Sequence, residues 1–275
     1  MPALALSLAL AAAFLHAFWN LLIARARDPQ SATLVALVAA VLAFAPATAL
    51  TWRLDARAWP YIAVTSLLQL VYFALLATAY RRAELSFVYP VSRGLAPVLV
   101  LLVGVVALRE VTTAGQVAGV ALVVTGIVMV RGLRPPGGPE ALLFALAIGI
   151  CIASYTLLDK RGIRYASPIT YLELSMIPAT LGYGAAVLAA RGRSRVRAEI
   201  GASAILAGIA SFGAYALVLG ALARAPAAPV AAVRETSVVI ATAFAASVLH
   251  ERVGGLRLAG SALVAAGIAL LALGS

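Results

Sequence analysis

Ten apolar stretches of about 20 residues constrain this chain more than any other feature. A helix rises about 1.5 Å per residue, so roughly 20 apolar residues match the hydrocarbon thickness of a bilayer. The stretches are 3–24, 31–51, 59–80, 84–107, 112–130, 140–158, 168–190, 200–222, 226–249 and 254–273. In hydrocarbon the backbone N–H and C=O groups must be paired within their own segment, which predicts a helix for each stretch. A β-barrel wall needs apolar and polar residues alternating over about ten positions, and the sequence has no such pattern. Composition agrees: 64% of the 275 residues are hydrophobic and 11% are charged, against about 45–50% and about 25% in water-soluble domains. The expected fold is an all-α polytopic membrane protein with ten transmembrane helices.

The formal net charge of +11 raises nucleic acid as a partner, but the position of the charges argues against it. Basic residues gather in short connections such as "ARARD", "YRRAE" and "RGRSRVR". Arginines beside membrane spans set topology and meet lipid headgroups. Membrane lipids are therefore the expected surface partner, and no nucleic acid is. Cys151 is the only cysteine, so no intrachain disulfide forms, and His16 and His250 are too few for a metal motif. No metal or other cofactor is expected. The opening "MPALALSLALAAAFLHAFWN" lacks a basic n-region and reads as a retained first span, not a signal peptide.

The stretch "RGLRPPGGPE" at residues 131–140 breaks helix near mid-chain through Pro135, Pro136, Gly137 and Gly138. It divides the chain into residues 1–131, a linker at 132–139, and residues 140–275, with five spans on each side. Shifting residues 93–130 by 141 positions makes 11 of 38 pairs identical. Arg93 falls on Arg234, Glu110 on Glu251, Gly119 on Gly260 and Gly126 on Gly267. A shift of 139 places Asn20 on Asp159 and Pro29 on Pro168. Five is odd, so the second half must enter the membrane from the opposite side, giving two inverted-topology five-helix repeats. Such repeats are a hallmark of secondary transporters that bind solute near the midplane.

On these residues the chain resembles the EamA family of the drug/metabolite transporter superfamily. The likeness rests on "HAFWN", on "YPVSRGLAPVLV" followed by "LREVTTAGQVAGVALVVTGI", and on "VRETSVVIATAFAASVLHERVGGLRLAGSALVAAGI". The "GE" usual in that family after spans four and nine stands here as "RE" and "HE". The resemblance implies export or exchange of a small metabolite or drug-like solute. It also implies a cavity between the halves, lined mainly by spans one, three, four, six, eight and nine.

Arg93 lies about nine residues inside its span, about 13 Å from the nearer end. Snorkelling strains at that depth, and charges so placed face a bundle interior or a water-filled cavity. Arg93 therefore either attracts an anionic or zwitterionic solute or pairs with Glu84, Glu173 or Glu235. Arg234 is its duplicate, and adjacent helical positions point about 100° apart, so Arg234 and Glu235 need not pair with each other. Tyr89, four residues before Arg93, is either a cavity wall or an interfacial tyrosine. Pro90 and Pro97 flank Arg93, leave carbonyls unpaired and favour a kink.

His16 and Asn20 share one face of span one, with Trp19 beside them, and Tyr155 and Asp159 repeat the spacing in span six. His16 is either a proton-coupling group or a buried histidine with one interhelical hydrogen bond. Glu235 is either a proton carrier or the counter-charge to Arg93. Gln69 and Tyr72 in span three and Tyr215 in span eight complete the candidates. The duplicated glycines read as close-packing positions.

With ten spans both termini share one face. Seven Lys and Arg residues fall on that side and twelve on the other. The positive-inside rule then places the termini outside the cytoplasm, whereas the resemblance implies cytoplasmic termini. The expected protein is a multi-pass carrier of the cell (inner) membrane, monomeric or homodimeric, working by alternating access. The alternatives are an intramembrane enzyme, for which no HExxH, GxSxG or acidic cluster is present, and a non-transporting sensor or assembly subunit.

Overall fold

The computed structural model describes residues 1–82, 85–108, 112–131, 138–237, 239–240 and 255–273. Its helices are α1 (Ala3–Ala24), α2 (Pro29–Leu50), α3 (Trp59–Arg82), α4 (Leu85–Leu108), α5 (Ala114–Arg131), α6 (Gly138–Gly162), α7 (Pro168–Arg191), α8 (Arg193–Ala198), α9 (Ala202–Leu222), α10 (Ala227–Arg234) and a C-terminal helix, Gly255–Leu273. Among the described residues the only β feature is an isolated bridge between Leu54 and Ala166.

Among the described residues, six helical segments are long and apolar enough to cross a membrane: those of α1, α2, α3, α6, α7 and α9. In α4 the apolar run begins only at Leu95, after the polar pair Ser92 and Arg93. The ninth expected span, 226–249, is described as a continuous helix only over Ala227–Arg234, and residues 241–254 lie outside the described residues. Glu84, Glu110, Glu251 and His250 lie outside them too. One expectation is corrected: "RGRSRVR" is not a plain loop. Gly192, at φ 79°, ends α7 in a conformation open to glycine, and the arginines restart as α8.

Helix starts follow local chemistry. At "SPIT", Ser167 accepts from the Thr170 N–H at 3.2 Å, and Pro168 sits where a helix does not use its N–H. At "DPQS", which the shift of 139 aligns with it, Pro29 takes the same place and Asp28 accepts from the Ser31 hydroxyl at 2.8 Å.

Sequence neighbours are not the main packing partners. Helix α1 packs chiefly on α9, and α6 on α3 and α4. Helix α2 packs on α7 and α9, α3 on α7, α4 on α10, and α5 on the C-terminal helix. These pairs exchange among themselves when each helix of the first half is replaced by its counterpart in the second. The contact of α1 with α9 becomes that of α6 with α3, and the contact of α4 with α6 becomes that of α10 with α1.

The duplicated glycines sit where α5 crosses the C-terminal helix, and both pairs are in close approach. A Cβ on Gly126 would lie 2.5 Å from the Gly260 carbonyl oxygen, and one on Gly267 would lie 2.7 Å from that of Gly119. Each pair is therefore closed to any larger residue without helix displacement, as the packing reading expects.

Loop contacts sort into two faces. On one, the Asp55 N–H donates to Tyr165 at 2.7 Å, Ser167 to Arg53 at 2.9 Å, and Lys160 to the Leu222 and Ala225 carbonyls at 2.6 Å each. On the other, the Asp28 N–H donates to Glu199 at 2.9 Å, and Arg191 lies 3.7 Å from the Asp28 carboxylate.

Candidate functional site

Arg93 is 4% exposed and reaches across from α4 to the end of α10. Its Nη1 donates to both oxygens of Glu235, at 3.2 and 3.3 Å. Arg234 donates to Oε1 of the same carboxylate through Nε at 3.1 Å and Nη2 at 3.0 Å. Glu235 is fully buried. Glu235 is thus the counter-charge to Arg93, as one sequence reading had it. The expectation that Arg234 and Glu235 need not pair is corrected. Glu235 keeps a helical φ of −72°, and its N–H still donates to the Ala231 carbonyl at 3.3 Å, so the offset of about 100° remains and the two long side chains reach across it. Burying three charges is costly, and the cluster persists only because the ions are mutually paired and hydrogen-bonded.

His16 of α1 stands beside Arg93, its Nε2 2.9 Å from Nη2. Its Nδ1 faces the Trp19 indole Nε1 at 3.3 Å, with the rings edge-on at 5.2 Å. Indole and guanidinium groups only donate, and a neutral imidazole has one lone pair to offer. One N–H on this ring edge therefore points at another donor. Asn20 turns back on its own helix and donates to the His16 carbonyl at 2.7 Å. The shared face of His16 and Asn20 thus serves α1 itself, and only His16 joins the cluster. Tyr89 lies in α4, and its side chain is outside the described residues.

The turn that ends α10 carries "RETS", the one run of consecutive polar residues in its span. All four are buried, and among the described residues the hydroxyls of Thr236 and Ser237 have no hydrogen-bond partner. Buried polar groups are nearly always paired, so two orphan hydroxyls beside an ion cluster mark a place for ligand groups or water. The run was visible in the sequence, but only its Arg and Glu drew attention there.

A second polar centre lies on α6. Asp159, fully buried, accepts from Thr65 of α3 at 2.8 Å, from Tyr171 of α7 at 2.9 Å, and from Tyr215 of α9. Tyr215 also stacks edge-on against Tyr155, centroids 6.0 Å apart, and Tyr155 meets Tyr72 at 6.4 Å. Tyr72, Tyr155 and Tyr215 thus form one aromatic chain. Sequence reading named these tyrosines but passed over Asp159 as a hub, and over Thr65 and Tyr171 entirely. The available signal was the alignment of Asp159 with Asn20.

Glu173 of α7 is buried, and its Oε2 has no partner. It joins neither centre through any hydrogen bond. Two cavities lie at the bundle ends, one of about 230 Å³ beside Arg25, Arg27 and Glu199, the other of about 420 Å³ beside Arg53, Arg57 and Tyr165. In the second, the Asp55 carboxyl is held well below its usual range, at about 2, first by the side-chain hydrogen bond from Arg57.

A family model for EamA-like transporters matches the chain twice, over residues 3–132 and 140–273. The chain belongs to the EamA-like transporter family. It is accordingly a multi-pass integral membrane protein of the drug/metabolite transporter superfamily. No curated protein matches the sequence. A solved crystal structure shares the fold at a TM-score of 0.80 and 19% identity, covering 99% of this chain and 98% of that one. In this EamA protein Arg93 and His16 come from the stretch matched first, Arg234, Glu235 and Asp159 from the stretch matched second.

Proposed function

We propose that this EamA protein is a secondary carrier of the inner membrane that exports or exchanges a small solute bearing a carboxylate, anionic or zwitterionic. Ten helices in two inverted repeats would rock around a site at the cluster of Arg93, Arg234, Glu235 and His16. The exchange of packing pairs between the halves supports that symmetry, and the burial of the cluster fits an occluded state. The observation that carries the solute class is the His16 edge, where Trp19 Nε1 and Arg93 Nη2 both present donors to a ring with one lone pair. A carboxylate entering there supplies the missing acceptors. The orphan hydroxyls of Thr236 and Ser237 stand ready for its remaining polar groups. Neither an enzyme nor a sensor needs such a centre where the two halves meet.

A ligand that binds only the folded protein at 100 times its dissociation constant adds about 2.7 kcal/mol of apparent stability. A thermal-shift screen of the purified protein over amino acids, organic anions, sugars and organic cations therefore tests the solute class. Carboxylate-bearing compounds are expected to raise the melting temperature. Stabilisation by cations or neutral sugars alone contradicts the proposal.

A further inference from the structure

The three oxygens Thr65 Oγ1, Tyr171 OH and Asp159 Oδ1 form a triangle with edges of 2.8, 2.9 and 2.9 Å. Every edge is a hydrogen-bond distance, yet the two hydroxyls bring only two hydrogens for three edges. With Asp159 ionised, one edge sets lone pair against lone pair, whichever way the hydroxyls turn. A proton on Oδ1 supplies the third hydrogen. Thr65 then donates to Tyr171, Tyr171 to Asp159, and Asp159 to Thr65. Tyr215 donates to the other carboxyl oxygen, Oδ2.

In the plane of the triangle there is no room for a metal ion, because its centre lies about 1.6–1.7 Å from each corner, inside the roughly 2.0 Å that magnesium needs. A cation above the plane is the rival occupant, which the comparison of sodium with potassium below tests. Thr65, Asp159 and Tyr171 are each 0% exposed, and all hydrogen bonds to the carboxyl come from hydroxyls. Asp159 sits three residues from the end of α6 and Tyr171 in the first turn of α7, so the triangle is about one turn from a membrane face.

We propose that Asp159 is a proton-binding site of this protein, closing a ring of hydrogen bonds with Thr65 and Tyr171 that ties α3, α6 and α7 together. The proton comes from water at the nearby face and returns there, and no other bond is made or broken. Tyr215 of α9 donates to the same carboxyl and packs edge-on against Tyr155, so proton occupancy and the arrangement of α9 are joined. This assigns the proton to a residue other than His16 or Glu235. The titratable and charged groups around it are Tyr61 of α3, Tyr155 of α6 with Lys160 next in sequence, Tyr171 of α7, Tyr215 of α9 and Arg234 at the end of α10.

Infrared difference spectra of the full-length protein in lipid, taken between about pH 4 and about pH 10, detect a protonated carboxyl by its carbonyl stretch and give its midpoint. The expected result is a titrating carboxylic band that Asp159→Asn removes and Glu173→Gln leaves in place. Thr65→Val and Tyr171→Phe, which do not depend on Asp159→Asn folding, are expected to move the midpoint by about one pH unit, since each alters hydrogen bonding to the carboxyl. Absence of the band in the wild type, its survival in Asp159→Asn, or an unmoved midpoint in both hydroxyl variants overturns the proposal. So does a midpoint that shifts when sodium replaces potassium, which points to a cation site. No solute is needed, so the outcome is independent of whether Arg93 binds an anion.

Discussion

The two polar centres of the bundle differ in what they have too much of. Around His16 the excess is of donors: an indole and a guanidinium both face a ring that has one lone pair to offer. Around Asp159 the excess is of acceptors, with one hydrogen too few for the contacts present. A donor-rich centre is completed by an anion and an acceptor-rich one by a proton. Net charge conveys none of this, because the distinction lies in the hydrogen inventory of each group.

Four changes break or sharpen that contrast. The largest effect is expected from Glu235→Gln, which strips the donor-rich centre of its carboxylate and leaves two buried guanidiniums facing each other. Loss of a buried ion-pair partner costs about 3–5 kcal/mol, read as a fall in thermal or denaturant stability. Tyr215→Phe removes the hydroxyl that donates to Asp159 Oδ2 and should cost about 1–3 kcal/mol, the penalty of an unsatisfied buried acceptor. Trp19→Phe removes a surplus donor instead of a needed one. Its stability change is expected within about 1 kcal/mol, with nitrogen NMR showing His16 settled as the Nδ1–H tautomer.

The smallest effect is that of Asp55, which serves as the control. Arg57 holds its folded-state carboxyl at about 2, below the ordinary aspartate value of 3.8. A depressed acid stabilises the fold above its unfolded value, and that contribution is lost only as pH falls through the folded one. Between about pH 5 and about pH 9 it stays ionised. Asp55→Asn should therefore leave any pH-dependent signal in that window unchanged, and a signal that vanishes would relocate the proton from the bundle to the surface.

Much of the fold could be read from the chain because span length and duplicated glycines are local, additive signals. Gly119, Gly126, Gly260 and Gly267 were recognisable as packing positions, and they meet in reciprocal pairs. Arg93 was legible because a charge deep in an apolar run is rare. Its pairing with Glu235 was one of three options, since helix order in space is not written in one sequence. Arg234 and Glu235 pair despite their helical offset because both side chains are long enough to turn toward each other. Asp159 escaped notice for a related reason: its partners, Thr65, Tyr171 and Tyr215, lie on three other helices, and each alone is an ordinary residue.

Solute flux in proteoliposomes, comparing wild type with Arg93→Ala, tests the central claim most directly. The solute would be whichever carboxylate compound stabilises the wild type in the screen. The account expects the wild type to exchange that solute and Arg93→Ala to lose the flux while still eluting as a folded, monodisperse protein. Undiminished exchange by folded Arg93→Ala would contradict it.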